Sequence, residues 1–241
     1  MPDGLTLITP TSDRPAAFAL CERWMARQTY RGPLDWIVVD DGAARVVPSR
    51  GQQHLRREPA SDPRGSFAGN LLAGLTTARD LPHEKILFIE DDDWYAPDYL
   101  ALMCDWLEGA DIAGEARARY YHLPTRRWML CPNTDRASLC QTGIRRGLLQ
   151  PLLDHLTAHP STFVDIHLWK TLAADARQLL WGETLHSVGI KGLPGKQGIG
   201  IGHRLGERHR CDTDGSVLKS WMGEDAEIYF AMGRSLAGSL Q

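Results

Sequence analysis

The sequence has little cysteine and no paired cysteine motif. Its five cysteines, Cys21, Cys104, Cys131, Cys140 and Cys211, are odd in number and irregular in spacing, with no CxxC pair. That speaks against a zinc knuckle and a disulfide framework, so reduced, mostly buried thiols are expected. No run approaches 18 apolar residues, so no membrane span is expected. The opening MPDGLTLITPTSDRP has neither a basic stretch nor an apolar core, so no signal peptide is expected. A cytoplasmic location follows as the expectation. Charge of one sign is also missing: 27 Lys and Arg against 30 Asp and Glu leave a net charge of −3. This excludes a wholly basic nucleic-acid binder, although a local basic patch stays open. Internal repeats and low-complexity tracts are absent too.

What is present is an ordinary globular composition, 43% hydrophobic and 24% charged over 241 residues. That length gives one large domain or two small ones with a real core. Leu5 to Thr9, Trp36 to Val39 and Lys85 to Ile89 read as buried strands. Helical spacing fills Pro15–Thr29, Ser66–Arg79 and the stretch from Pro97 to about Leu107, with Val46–Gly65 read as a loop. The alternation β-α-β-α-β-α with near-continuous apolar strands predicts an α/β fold with a mostly parallel sheet covered on both faces. The second half reads differently. Short strands are expected at 111–113, 119–121, 128–130 and 139–141, with a hairpin turn at Leu123–Arg126. Helices are expected at 147–157, 163–177 and 224–238, and a loop with six glycines at 189–202. The simplest organisation is a single domain in two parts, 1–108 and 109–241.

Glu90-Asp91-Asp92-Asp93 is the most informative feature. Four adjacent carboxylates at a strand end repel one another and raise some of their pKa values. A fold keeps such a cluster readily when a cation compensates it, and Mg²⁺ or Mn²⁺ takes oxygen ligands of this kind. The plain alternative is a solvated acidic turn; the apolar strand before it and the helix after Pro97 favour the cation site. The position also matters, because open parallel sheets bind ligands beyond the carboxyl ends of their strands. An EF-hand is excluded by the missing glycine and bidentate Glu, and Asp212-Thr213-Asp214-Gly215 fails the same test.

Other candidates are weaker one by one. Asp40-Asp41 ends the second strand and suits a ribose hydroxyl or base N–H, or else caps the turn at Gly42. Thr9-Pro10-Thr11 and Arg14 follow the first strand, where a nucleotide or a helix start fits equally well. The segment Gly189–Arg204 is neither a Walker A motif nor a Rossmann fingerprint. Its glycines let backbone N–H groups approach a phosphate, and Lys191, Lys196 and Arg204 add charge, so a loop closing over a diphosphate has this composition. A flexible surface loop is the alternative. His203 is a candidate metal ligand. Asp165, alone among apolar neighbours in Phe163–Trp169, suits a general base or a carboxylate at a helix start.

Taken in order, Leu7-Ile8-Thr9-Pro10-Thr11, Val38-Val39-Asp40-Asp41-Gly42, Gly69-Asn70 and Glu90-Asp91-Asp92-Asp93 with Pro97 resemble the GT-A glycosyltransferases, in particular their family-2-like group. The likeness covers roughly residues 5–105. It implies a GT-A, Rossmann-like sheet flanked by helices. Residues 1–108 would form the nucleotide-sugar half; 109–241 would be a smaller mixed β/α acceptor half with the Gly-rich loop and a closing helix. It implies metal-dependent transfer, inverting by expectation, from a nucleoside diphosphate sugar, with a UDP-sugar favoured, to a hydroxyl. Thr9, Pro10, Thr11, Arg14, Asp40, Asp41, Arg64, Asn70, Asp91, Lys196 and Arg204 are the implied donor contacts. Asp92, Asp93 and His203 are the implied ligands of Mn²⁺ or Mg²⁺. Asp165 is the implied base, with Asp225 of Gly223-Glu224-Asp225 in reserve. Glu90 in place of the family's first Asp, and Ala43-Ala44 after Gly42, depart from the pattern. The compact size and basic C-terminal region also resemble phage-encoded relatives, for which hydroxymethylated pyrimidines in DNA are candidate acceptors. A cell-surface glycan or a small molecule is the alternative acceptor. Trp128, Trp181 and Trp221 are available to stack on a base, with the core as their plainer home. A sugar nucleotidyltransferase and a non-catalytic nucleotide-binding module are the remaining rivals.

Overall fold

The computed structural model describes residues 4–60, 63–160, 163–196, 198 and 201–238. The first half alternates strands and helices: β1 (Leu5–Thr11), α1 (Pro15–Ala26), β2 (Leu34–Asp40), β3 (Gln53–Arg56), α2 (Pro63–Ala78), β4 (Lys85–Phe88), β5 (Asp93–Tyr95) and α3 (Tyr99–Gly109). The second half opens with short strands: β6 (Ile112–Glu115), β7 (Arg119–His122), β8 (Arg127–Leu130) and β9 (Thr142–Arg145). α4 (Leu149–Ala158), α5 (Val164–His167), β10 (Gln178–Trp181) and β11 (Ser187–Lys191) follow. The end is β12 (Arg210–Cys211), α6 (Ser216–Met222) and α7 (Ala226–Gly238).

Seven strands form one sheet in the order β10-β6-β9-β4-β1-β2-β3. β1 runs parallel to β2 and β4, β2 to β3, and β6 to β10; β9 alone runs antiparallel to its neighbours β4 and β6. The period of two along each strand sorts the core. Leu5, Leu7, Val38 and Leu87 face one cluster with Phe18, Trp24, Met103 and Tyr229. Ile8, Ile37, Val39, Ile86 and Phe88 face the other, with Leu71, Leu75, Leu152 and Trp169. Strands buried on both faces read as continuous apolar runs, which explains their visibility in the sequence. A second sheet, β12-β8-β7-β11-β5, hangs beside the carboxyl ends of the first. The expected hairpin at Leu123–Arg126 joins β7 to β8, with Tyr121 opposite Trp128.

Several expectations change. The loop expected over Val46–Gly65 contains the edge strand β3. The strand expected at 139–141 is a single 3₁₀ turn, and the strand itself, β9, follows it. The helix expected at 163–177 is one α turn followed by a π turn over Leu168–Leu172. The glycine-rich segment begins as a strand, β11, and the expected closing helix is preceded by a second one, α6. All five cysteines are free thiols.

Candidate active site

A cavity of about 360 Å³ opens beyond the carboxyl ends of β1 and β4, between them and the second sheet. Pro10, Thr11, Arg14, Asn70, Asp91, Asp165, Lys196 and His203 line it, so the structure brings these expected residues together. Glu90 and Asp91 of the acidic cluster form one wall, with Asp92 and Asp93 buried behind them. Chain leaving β4 runs through Glu90–Asp92 into β5, which is clamped by antiparallel pairing of Asp93 with Gly189 of β11. The Ile190 N–H adds a bond of 3.2 Å to the Asp92 carbonyl.

Two cations hold the carboxylates. Arg14, the residue just before α1, places its guanidinium 2.9 Å from Asp91 Oδ1 and 3.3 Å from Asp92 Oδ2. Lys191, at the end of β11, places Nζ 3.0 Å from Asp93 Oδ1 and 3.2 Å from Asp92 Oδ2. The Thr11 hydroxyl donates to Asp91 Oδ2 at 2.6 Å. This environment separates the four acids. Burial and the neighbouring Asp93 push Glu90 up to about 8. Burial takes Asp93 up to about 6 despite Lys191. Burial opposes ionisation of Asp92 as well, but Lys191 and Arg14 outweigh it and hold that carboxyl well below the usual range. Asp92 is therefore the one acid of the four held below its ordinary range.

The same carboxylate fits a hard cation. Asp92 Oδ1 is buried and has no hydrogen-bond partner, which leaves a charged oxygen lone pair free. His203 Nε2 lies 3.5 Å from Asp92 Oδ2, and burial together with Lys191 pushes that imidazole down to about 3, so it is neutral and able to ligate. Asp93 is engaged elsewhere, by Lys191 and the Cys140 thiol. Donor atoms of Glu90, Asp93 and Cys140 do lie within 4.8 Å of one another. However, burial and Asp93 push the Cys140 thiol far up, so it offers no thiolate. The fit to Mn²⁺ or Mg²⁺ thus concentrates on Asp92 and His203.

Behind this wall, Asn70 of α2 ties the ends of β1 and β2 together. Its amide donates to the Thr11 carbonyl at 2.9 Å and to Asp41 Oδ1 at 3.1 Å, while its oxygen accepts from Arg57. Ser66 donates to the same Asp41 oxygen at 2.8 Å. Burial disfavours the Asp41 charge, but Ser66 and Asn70 donate enough to hold its pKa below the usual value. Asp40 is spent on its own loop, accepting from the N–H groups of Gly42 and Val46 and pairing with Arg56.

The glycine-rich segment lies against the turn after β1. Gly195 has φ +113° and packs on the Asp13 carbonyl so closely that a Cβ would approach it to 2.1 Å. Arg14 Nε donates to the Lys196 carbonyl from the same turn. On the opposite side, Asp165 stands in the first turn of α5, and burial raises its pKa against the pull of the Ile166 N–H and Arg136.

Other expected residues are placed elsewhere. Thr9 is fully buried in β1, and its hydroxyl accepts from Trp36 Nε1 at 2.9 Å. Arg204 is exposed and does not line the cavity. Asp225 sits at the junction of α1, β5 and α7, where Arg27 grips both its oxygens and Trp94 Nε1 donates at 2.8 Å. The structure therefore brings Asp165 to the cavity and leaves Asp225 out, because the Asp225 carboxylate is already saturated. The side chain of Arg64 lies outside the described residues. Trp128, Trp181 and Trp221 do not line the cavity either: Trp128 packs on Trp221 and Trp181 on Trp106. Lys191 and Arg57 are the residues the sequence undervalued. Lys191 looked like one more loop charge, and only its strand alternation with Gly189 points it inward.

Neither a family model nor a curated protein sequence matches the chain. Solved structures do. TarS from S. aureus, as its 1–349 fragment, is 14% identical with a TM-score of 0.55 over 78% of this chain and 60% of that one. The same fragment in complex with UDP-GlcNAc gives 12% identity and a TM-score of 0.54 over 80% and 60%. In complex with UDP it gives 12% and 0.51 over 78% and 60%. The fold is that of the GT-A glycosyltransferases. The present chain spans 60% of the TarS 1–349 fragment and 36% of the longer TarS chain. Within the GT-A frame, the cavity lies where open sheets bind ligands, beyond the carboxyl ends of the parallel strands. Among the described residues no helix is long and apolar enough to cross a membrane.

Proposed function

We propose that the chain transfers a sugar from a nucleoside diphosphate sugar to a hydroxyl. The carrying observation is one cavity lined by His203, which lies 3.5 Å from the charged, partly unpartnered Asp92 just behind the wall, and by a half-buried, upshifted Asp165 on another side. The GT-A fold supports the reaction class, and the UDP and UDP-GlcNAc held by TarS support a UDP-sugar donor. Asp41, Asn70 and the turn Pro10-Thr11 shape the nucleotide side. Arg14 and Lys196 supply positive charge toward the diphosphate. Asp92 and His203 would hold Mn²⁺ or Mg²⁺, which when bound neutralises the departing diphosphate. Asp165 accepts the proton of the acceptor hydroxyl as it attacks the anomeric carbon from the face opposite the leaving group, which inverts the configuration.

The test is release of free nucleoside diphosphate from a panel of UDP-, GDP- and dTDP-sugars with Mn²⁺ or Mg²⁺. Asp92→Asn is expected to abolish release while the protein still folds, with a lowered melting temperature because Arg14 and Lys191 lose a charged partner. Asp165→Asn is expected to lower turnover by about 10²–10⁴, the usual worth of a placed base. Full activity in either variant removes that assignment. Saturable nucleotide binding without release from any donor would make the chain a binding module. A further rise with hydroxymethylated DNA, against glycan and small-molecule acceptors, identifies the acceptor class.

A further inference from the structure

Lys191 stands apart from the other basic residues of the glycine-rich segment. Its side chain is 4% exposed, and its ammonium sits among three carboxyl groups, Asp93 at 3.0 Å, Asp92 at 3.2 Å and Glu90 at 3.9 Å. The pocket around it is built. Lys191 Nζ lies 5.6 Å from the centre of the Tyr120 ring. A Cβ on Gly189 would meet that ring at 2.5 Å and Lys191 Cε at 3.1 Å. A Cβ on Gly202 would meet the ring at 2.8 Å and Lys191 Cγ at 3.3 Å. Two glycines of the segment are therefore small where the lysine stem and the tyrosine need the space. Asp92 Oδ1, on the far side of the same carboxylate, is buried and unpartnered.

We infer that Lys191 is a resident cation of the acidic cluster, which neutralises Asp92 and Asp93 before any metal arrives and leaves Asp92 Oδ1 as the oxygen offered to one. The four acids meet two fixed cations here, Arg14 and Lys191, so as much positive charge as a divalent ion would supply is already built into the chain. A unit charge about 3 Å from a ligand oxygen also repels an incoming ion, and this repulsion is strong where water is excluded. The metal-free protein consequently binds a lone divalent ion weakly, and loss of Lys191 strengthens that binding. A lysine with a purely structural role behaves the other way: its loss would disturb the site and weaken the ion.

The inference rests on the cation site of the proposed function, but its test uses metal alone and no sugar donor. Free Mn²⁺ is titrated by electron paramagnetic resonance against wild type, Lys191→Met and Lys191→Arg, with the melting temperature followed in parallel. Lys191→Met is expected to bind Mn²⁺ at least about tenfold more tightly than wild type. It should melt lower in chelator and recover with Mn²⁺. Lys191→Arg, which keeps the charge, should stay within about threefold of wild type. Equal or weaker Mn²⁺ binding by Lys191→Met overturns the inference. If that variant does not fold in chelator, the pair Asp93→Asn and Asp93→Asn/Lys191→Met is compared, and equal affinity of the two overturns it likewise. Tightening in a protein that releases no nucleotide from any donor would uphold Lys191 and refute the transferase reading, so the two failures are separable.

Discussion

At the residue scale, two aspartates with similar sequence credentials part company through their partners. Asp165 has a raised pKa because burial penalises its charge more than the Ile166 N–H and Arg136 favour it. Such a group is available to take a proton. Asp225 is gripped by Arg27 through both oxygens, 2.8 and 2.5 Å away, and by Trp94 Nε1. A carboxylate with its lone pairs committed is a fastener. Arg27 also lies over Trp24, 4.5 Å from the ring centre, so the contact ties α7 to α1 and β5. Asp225→Asn is therefore expected to cost about 1–2 kcal/mol of stability, the range for a charge-assisted bond weakened to a neutral one. Turnover per folded molecule should stay within about twofold of wild type. Chemical denaturation and nucleotide release on the same samples check both parts. A large loss of turnover at unchanged stability would return Asp225 to the chemistry.

At the element scale, Glu115 at the end of β6 links the two sheets. It is 1% exposed and accepts from the Ser187 hydroxyl of β11 at 2.7 Å and from the His186 N–H at 3.1 Å. Burial, only partly offset by these donors and Arg119, pushes its pKa up to about 7 from 4.5. The folded state thus holds this proton more tightly than the unfolded chain. Between pH 4.5 and 7 the folded chain binds more protons, so stability from this group falls as pH rises, by on the order of 3 kcal/mol across that window. Glu115→Gln should remove that slope and be more stable than wild type at pH 8. Denaturation series at pH 5, 6, 7 and 8 decide it, and an unchanged slope rejects the assignment. The same scale shows where the sequence was readable. β1, β2 and β4 are buried on both faces and stand out as apolar runs. β3, Gln53–Arg56, is an exposed-to-intermediate edge with a single apolar residue, and its pairing with β2 left no local pattern. β5 is three residues long and begins inside the acidic cluster, so its charges masked it. β11 carries Gly189, needed beside Tyr120, and was absorbed into the glycine-rich segment. The acidic wall was legible because it follows a strong strand; Lys191 was not, because its partner strand was hidden.

At the scale of the whole molecule, the cavity is made by contact between distant parts of the chain. The turn after β1 forms one edge, and the glycine-rich segment, some 180 residues later, lies on it. Arg14 is the joint. Its guanidinium holds Asp91 and Asp92 while its Nε–H reaches the Lys196 carbonyl, so the position of the segment and the charge of the acidic wall depend on one side chain. Gly195 sets the distance. Its φ of +113° suits glycine, and the Asp13 carbonyl leaves no room for a Cβ. Gly195→Ala must therefore lift the segment from the turn and lengthen the Arg14 to Lys196 bond. The scaffold beneath is independent of this contact, since both core clusters lie on the sheet faces. The melting temperature should accordingly move by no more than a few degrees. Binding of UDP with Mn²⁺ should weaken about tenfold, the effect of one charge-assisted bond being lost where a ligand is enclosed. Isothermal titration measures the binding, and limited proteolysis measures how far the segment has been released. Faster cleavage near residue 196 with weaker binding is the expected pair of results. Unchanged UDP affinity with faster cleavage would mean that the segment covers the cavity without contributing to the nucleotide site.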